Sequence, residues 1–214
     1  MEPRCLSEAI VKLEVVNLAE TNLTEQQMEQ ILEKIATTEE FPLNNLDLSC
    51  NPVVYSISPL LISRAASRLE IFRLADGTGW QDVEFCYESS NSSPELLECL
   101  LRSAGESQNT RCLDLSFCRL ETVSPQSLSQ AASATLRTLD LQSCHLTKQQ
   151  INNLLQAIEL SECPSVRNLN LQSNNLSSVS YKSLSGAVCR LEDVNLGTRL
   201  GFISRRNKNI FFLI

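Results

Sequence analysis

The chain has 214 residues, of which 43% are hydrophobic and 20% are charged, so it is long enough for one or two domains with a sizeable core. Its formal net charge is −7, and no acidic residue follows Asp193, whereas four basic residues do. Because an acidic chain repels phosphate backbones, we expect no nucleic acid partner.

Seven copies of one pattern, L-x-x-L-x-L-x-x-N/C-x-L, follow one another along the chain. Successive copies start 30, 26, 41, 26, 30 and 25 residues apart, and the third and seventh are degraded after position 8. A single copy cannot bury its own apolar side chains, so we expect the copies to stack with positions 1, 4 and 6 pointing inward. The copies begin at Leu13, Leu43, Leu69, Thr110, Leu136, Val166 and Leu191.

A helix is predicted after the first copy, in the segment LTEQQMEQILEKIATTEEFP. Thr24 and Gln27 have the spacing of a capping box, in which each residue bonds to the backbone of the other. The segment after the fifth copy, LTKQQINNLLQAIELSECPS, repeats this spacing with Thr147 and Gln150. The i, i+3, i+4, i+7 spacing predicts one buried stripe in each helix. The stripes are Met28, Ile31, Leu32 and Ile35, and Ile151, Leu154, Leu155 and Ile158.

The shorter copies are followed by a different shared sequence, which reads SPLLISRAASRL, SPQSLSQAASATL and SYKSLSGAVCRL. The larger repeating unit is therefore a module of two copies and about 56 residues. The 41-residue spacing contains an insertion near residues 80–93. It is followed by a predicted helix whose stripe is Leu97, Leu100, Leu101 and Ala104.

The insertion places Trp80, Phe85 and Tyr87 among acidic residues. Residues that anchor an interface are often aromatic side chains in such loops, so we interpret these three as candidates for partner binding. The alternative is that Trp80 and Phe85 fill a widened turn.

Stacking determines the predicted architecture. Each strand joins a parallel sheet at a spacing of ~4.8 Å, and helices are wider than strands, so the stack curves. The predicted fold is an α/β right-handed solenoid shaped as a horseshoe, with parallel strands on the concave face and helices on the convex face. We assign residues 1–198 to the repeat domain and residues 199–214 to a basic and aromatic tail outside the pattern. Three interpretations of the tail stay open: sequence foreign to the repeats, a cover over the last copy, or a segment that touches a membrane.

Position 9 of each copy turns the chain away from its strand. Asn or Cys there can donate to loop carbonyls that would otherwise be buried without a partner, so a structural role is predicted for Cys118 and Cys144. The position-9 residues are Thr21, Asn51, Gly77, Cys118, Cys144, Asn174 and Arg199.

Position 5 of each copy faces the concave side and supplies the candidate partner-binding residues. With positions 3 and 7 they form a polar, mildly acidic ribbon that suits a partner with basic or amide groups. The alternative is that Asp or Asn is commonplace at this position and that binding occurs elsewhere. The row is Asn17, Asp47, Arg73, Asp114, Asp140, Asn170 and Asn195.

The alternation of Cys-type and Asn-type copies, each followed by a full helix, resembles leucine-rich repeats of the ribonuclease-inhibitor type. The resemblance covers roughly Leu6 to Thr198. Proteins of this type include ribonuclease inhibitors, the sensing ends of cytosolic innate-immune receptors and Ran GTPase-activating proteins. The phrasing of the copies looks most like the repeat arrays of invertebrate receptor-like proteins. The resemblance implies a non-catalytic scaffold that binds proteins.

The first copy begins in the middle of a module and carries no polar cap. We therefore expect the chain to be a fragment of a larger receptor or a truncated gene product. Uncapped ends also favour weak self-association.

Catalysis has little support in the sequence. It contains no glycine-rich phosphate loop, no metal motif and no serine elbow, so neither an enzyme nor a cofactor is expected. His145 follows Cys144, but adjacent residues flank a turn, and Cys144 is expected to face inward. The alternative function is a GTPase-activating regulator of the Ran type, for which Arg119 is a loop arginine without a distinguishing context.

Nine cysteines occur without CxxC pairs, which indicates reduced thiols rather than a disulfide framework or a zinc site. The chain has no signal segment and no apolar run of about 18 residues. We therefore expect a cytoplasmic protein without a membrane span.

Overall fold

The structure is a computed structural model that describes residues 3–74, 93–133, 135–161, 164–177, 179–197, 202–204 and 209–210. In these residues nine strands form one sheet in sequence order, and the first seven run parallel to their neighbours. The repeat strands are β1 (Val15–Asn17), β2 (Asn45–Asp47), β3 (Ile71–Arg73), β4 (Cys112–Asp114), β5 (Thr138–Asp140), β6 (Asn168–Asn170) and β7 (Asp193–Asn195). The predicted α/β leucine-rich-repeat solenoid is confirmed.

The strands pair without slippage, because the same repeat position is the Cα partner in each neighbouring pair. Leu46 pairs with Phe72, and Leu113 pairs with Leu139, so position 4 of one copy lies beside position 4 of the next. The burial pattern of these strands is a buried central residue flanked by two half-buried ones. The sheet therefore turns position 4 toward the helices and positions 3 and 5 toward solvent.

Helices connect the strands and pack against one another in sequence order. The predicted stripes are confirmed as buried, and both predicted capping boxes form. The helices are α1 (Pro3–Ile10), α2 (Glu25–Thr37), α3 (Pro59–Ala66), α4 (Pro94–Glu106), α5 (Pro125–Ser133), α6 (Lys148–Leu160) and α7 (Tyr181–Val188), and a 3-10 helix spans Pro52–Ser56.

The first copy departs from the prediction that positions 1, 4 and 6 all point inward. Leu13, at position 1, is 51% exposed, and Leu18, at position 6, is only half-buried, whereas Val16 at position 4 is buried. In the described residues β1 pairs with β2 alone, so one side of this copy has no neighbouring coil to cover it.

The sheet continues beyond the last repeat into the tail. Strand β8 (Phe202–Ser204) pairs antiparallel with β7, and β9 (Asn209–Ile210) pairs antiparallel with β8. The direction of the strands therefore reverses where the repeat pattern stops. Of the tail residues considered as a cover for the last copy, Phe202 and Ile203 belong to β8, whereas Phe211, Phe212 and Leu213 lie outside the described residues. Whether the tail covers the last copy stays a prediction.

Candidate protein-binding face

The seven residues at position 5 form one continuous row across the sheet. Each is the Cα partner of the next, from Asn17 on β1 to Asn195 on β7. The structure thus brings all seven predicted residues together on the solvent side of the strands. Whether they bind a partner stays a prediction.

Six of the seven also stabilise the turn that follows their strand. In each of the six, the side-chain Oδ1 atom accepts a hydrogen bond from the backbone N–H of the residue two positions later. The N···O distances are 2.8 Å at Asn17, 2.9 Å at Asp47, 3.0 Å at Asp114 and Asp140, and 3.1 Å at Asn170 and Asn195. One polar atom of each side chain is therefore committed to the fold, which leaves the other for contacts with neighbouring side chains or with a partner.

Position 8 gives this turn a left-handed backbone in five copies. The φ angle is +58° at Glu20 and Ser173, +56° at Cys50, +65° at Phe117 and +54° at Ser143. Residues other than glycine adopt this conformation at a cost of about 1–2 kcal/mol, so the surrounding hydrogen bonds must hold it.

The predicted donors at position 9 supply part of that support. The Sγ atoms of Cys118 and Cys144 each donate to a carbonyl of the preceding copy at 3.1 Å, those of Leu74 and Leu115. Asn51 and Asn174 do the same through Nδ2 at 2.7 Å, to Leu18 and Leu141. The predicted structural role of the Asn and Cys residues is confirmed. Gly77 and Arg199 lie outside the described residues.

Side chains are also linked across the strand face. Asn170 Nδ2 donates to Asp140 Oδ2 at 3.0 Å and to Gln142 Oε1 at 3.2 Å, and Asn195 Nδ2 donates to Gln172 Oε1 at 2.8 Å. A shallow groove of about 200 Å³ crosses β5, β6 and β7 beside these residues. The residues that line it are Thr138, Leu139, Asp140, Asn168, Leu169, Asn170, Asp193 and Asn195. The groove offers amide and carboxylate groups at fixed positions.

Burial governs the titration of two groups on this face. The pKa of the Asp140 carboxyl is raised, mainly because burial removes water from the charged form, although hydrogen bonds from Gln142 and Asn170 oppose this. The pKa of the Cys112 thiol is raised by burial, and the positive charge of Arg73 opposes that rise. Arg73 itself donates from Nη1 to Asn45 Oδ1 at 3.2 Å.

The residues considered for catalysis lie in different environments. Cys144 is buried with its pKa raised well above the usual value by desolvation, and His145 is exposed on the turn. Arg119 forms an ion pair with Glu121 at 2.8 Å. Within the described part of the chain, no three His, Cys, Asp or Glu side chains are grouped as metal ligands would be.

The insertion is not described by the structure. Residues 75–92 lie outside the described ranges, so Trp80, Phe85 and Tyr87 have no structural assignment here. Their role in partner binding stays a prediction.

Several structural roles were not found from the sequence. Gln150 is buried beneath its capping box and donates from Nε2 to the carbonyls of Leu120 and Val123, both at 2.6 Å. Arg68 and Arg190 bond to backbone carbonyls at or beside the ends of α2 and α6, at 2.9 Å to Ala36 and 2.6 Å to Ser161. Both arginines directly precede the first leucine of a copy, and that shared position is the signal that identifies them.

Comparison with known proteins supports the repeat fold. The leucine-rich-repeat family profile matches residues 109–131 and 135–157, which contain the fourth and fifth copies. The leucine-rich repeat-containing protein LegL7 from Legionella pneumophila has a similar structure, with a TM-score of 0.58 and 18% sequence identity. The alignment covers 92% of this chain and 60% of LegL7, so the chain spans less than two thirds of that protein's length. No curated protein matches the sequence significantly.

Among the described residues, none of the helices has both the length and the apolar character required to span a bilayer.

Proposed function

We propose that the chain is a non-catalytic scaffold that binds another protein through the strand face of its solenoid. The observation that carries the proposal is the in-register row at position 5, which lays a polar ribbon across seven parallel strands. Such a ribbon is extended and open, and its carboxylate and amide groups suit a partner with basic or amide groups.

We further propose that the repeats are of the ribonuclease-inhibitor type and that the protein acts in the cytoplasm. The use of both Cys and Asn as turn donors, at Cys118 and Cys144 and at Asn51 and Asn174, supports the subtype. The thiols support the location, because Cys5, Cys99, Cys112, Cys144 and Cys189 form no disulfide bond. We also propose that the chain is one part of a larger immune-type receptor.

The test blocks the strand face without disturbing the turns. Thr138 and Asn168 occupy position 3 on β5 and β6, and the Asn168 amide donates to the Thr138 hydroxyl at 3.0 Å. The double variant Thr138→Tyr with Asn168→Tyr removes the donor and the acceptor of that bond together, and the two tyrosine side chains fill the groove. We expect proteins recovered from cytosol by the immobilised wild-type chain to be lost with this variant.

The matched control places the same two tyrosines on the helix face. Gln149 and Gln156 are both exposed on α6. Retention of the recovered protein by Gln149→Tyr with Gln156→Tyr is expected, and equal loss with both double variants would refute binding through the strand face. A GTPase recovered with accelerated hydrolysis would indicate the Ran-type regulator instead.

A further inference from the structure

Three arginines occupy the same repeat position on three consecutive strands. Arg111, Arg137 and Arg167 each lie at position 2, one residue before β4, β5 and β6. The backbone N–H of Arg137 donates to the carbonyl of Arg111 at 2.7 Å, and that of Arg167 donates to Arg137 at 2.8 Å. The three residues are therefore direct neighbours along the edge of the sheet where the strands begin, and we name them the arginine row.

The charges of the arginine row are only partly compensated. Arg167 is half-exposed and lies 3.9 Å from Glu192, at the outer limit of an ion pair. Half-buried Arg111 donates from Nη1 to the carbonyl of Thr135 at 3.3 Å. Arg137, in the centre, is exposed and forms no ion pair with the described residues. The row thus presents a concentrated positive charge to solvent.

The row contrasts with the rest of the molecule. Position 2 is occupied by Glu14, Asn44 and Glu70 in the first three copies and by Glu192 in the seventh, and the whole chain carries a net charge of −7. Like charges on directly opposite residues of neighbouring strands are destabilising, so three adjacent arginines cost stability when they are unpaired. A bound anion would relieve that repulsion, whereas the acidic surroundings would restrict binding to the row itself.

We infer that the arginine row is a docking surface for an acidic peptide segment of a partner protein. Neighbouring strands are ~4.8 Å apart, so the Cα atoms of the three arginines follow one another at about that spacing. Carboxylates on one face of a helix, three or four residues apart, recur at about 5–6 Å and match it. The row lies three residues before position 5, about 10 Å along each strand, so this surface is distinct from the ribbon proposed above.

Fluorescence anisotropy with a defined probe tests the inference without a natural partner. The probe is a labelled helical peptide with glutamates at every third or fourth residue, and its counterpart carries glutamines there. We expect the wild-type chain to bind the glutamate peptide with an affinity that falls as salt is added, and not to bind the glutamine peptide. Arg137→Glu with Arg167→Glu should weaken binding by about tenfold or more, since two attractions become repulsions.

The control reverses two arginines elsewhere. Arg64 on α3 and Arg102 on α4 are exposed, and Arg64→Glu with Arg102→Glu makes the same change in net charge. We expect binding within about twofold of wild type, because distant surface charges are screened by salt. The single substitution Arg137→Gln should also weaken binding. It tests the inference if the double charge reversal unfolds the chain.

Three results would overturn the inference: no binding of the glutamate peptide at low salt, equal loss with both double variants, or wild-type affinity in Arg137→Gln. Sedimentation at low salt tests whether a second copy of the chain, rather than a peptide, occupies the arginine row. A dimer that Arg137→Glu with Arg167→Glu dissolves would assign the row to a second copy of the chain rather than to a peptide. Because the probe is defined, failure here leaves the proposal for the strand face untouched.

Discussion

At the scale of single residues, two side chains hold the turn that follows the strand in the second, fourth, fifth and sixth copies. The residue at position 5 accepts from the backbone two positions later, and Asn or Cys at position 9 donates to the copy before it. The sequence identified the second role from chemistry, because a buried carbonyl requires a donor. It did not identify the first, since an Asp on an open strand face indicates a partner as readily as a turn. The left-handed backbone at Phe117 was also beyond prediction, because aromatic residues rarely adopt it.

Asp114 provides a test of the hydrogen bond that the position-5 residue accepts in the turn. Its Oδ1 atom accepts from the N–H of Ser116 at 3.0 Å. We expect Asp114→Ala to lower the free energy of unfolding by about 1–2 kcal/mol, because the N–H loses its partner, and Asp114→Asn to change it by less than about 0.5 kcal/mol, because the acceptor oxygen remains. Urea denaturation of the two variants measures the difference. Equal stability of the two variants would show that the turn does not depend on this hydrogen bond.

The titration of Asp140 gives a prediction for pH. Its folded-state pKa is raised by burial, so this carboxyl holds its proton more tightly in the folded protein than in the unfolded chain, and its contribution to stability falls as pH rises through that range. Asp140→Asn cannot titrate. The stability of this variant relative to wild type should therefore increase as pH rises from about 4, the pKa of a free Asp, toward neutrality. Thermal unfolding across this range checks the sign, and a relative stability that decreases with pH contradicts it.

At the scale of elements, the helices follow the sequence closely. The 3.6-residue periodicity identified the buried stripes of α2, α4 and α6, and the Thr and Gln spacing identified two caps. Contacts between neighbouring elements were not predicted. Glu98 on α4 accepts hydrogen bonds from Ser124 and Ser127 at the start of α5, and nothing in the spacing of these residues indicates that they meet. Such contacts depend on how neighbouring coils are placed, which a pattern within one copy does not encode.

The two capping boxes should differ in strength. Gln27 is half-buried, whereas Gln150 is buried and also donates to the carbonyls of Leu120 and Val123. We expect Gln27→Ala to cost about 0.5–1 kcal/mol of unfolding free energy and Gln150→Ala about 2–3 kcal/mol, because the latter leaves buried carbonyls without donors. Chemical denaturation of the matched pair measures both values. Equal losses would mean that the buried bonds contribute nothing beyond the cap.

At the scale of the whole molecule, the repeat spacing was sufficient to predict the fold. A copy whose leucines are hidden only by its neighbours requires parallel strands in register, and the structure has them. The exception is the first copy, where Leu13 is exposed because the described chain places no coil beyond it. The antiparallel strands β8 and β9 were not predicted, because the tail has no repeated pattern from which a register follows.

The cytoplasmic proposal predicts the state of the thiols. Titration of the denatured chain without reductant should find nearly all nine cysteines free, and a count of six or fewer would contradict the proposal. In the folded chain, exposed Cys5 and Cys189 should react first. Buried Cys144, whose pKa is raised by desolvation, should react only on unfolding.

Carboxylate footprinting of the wild-type chain, alone and with the protein that it recovers from cytosol, tests the central claim most directly. Asp47, Asp114 and Asp193 lie on the strand face, whereas Glu33 and Glu106 are exposed on helices α2 and α4. If the strand face is the binding surface, the partner reduces labelling of the three aspartates and leaves the two glutamates unchanged. Protection of the glutamates with undiminished labelling of the aspartates would contradict the account.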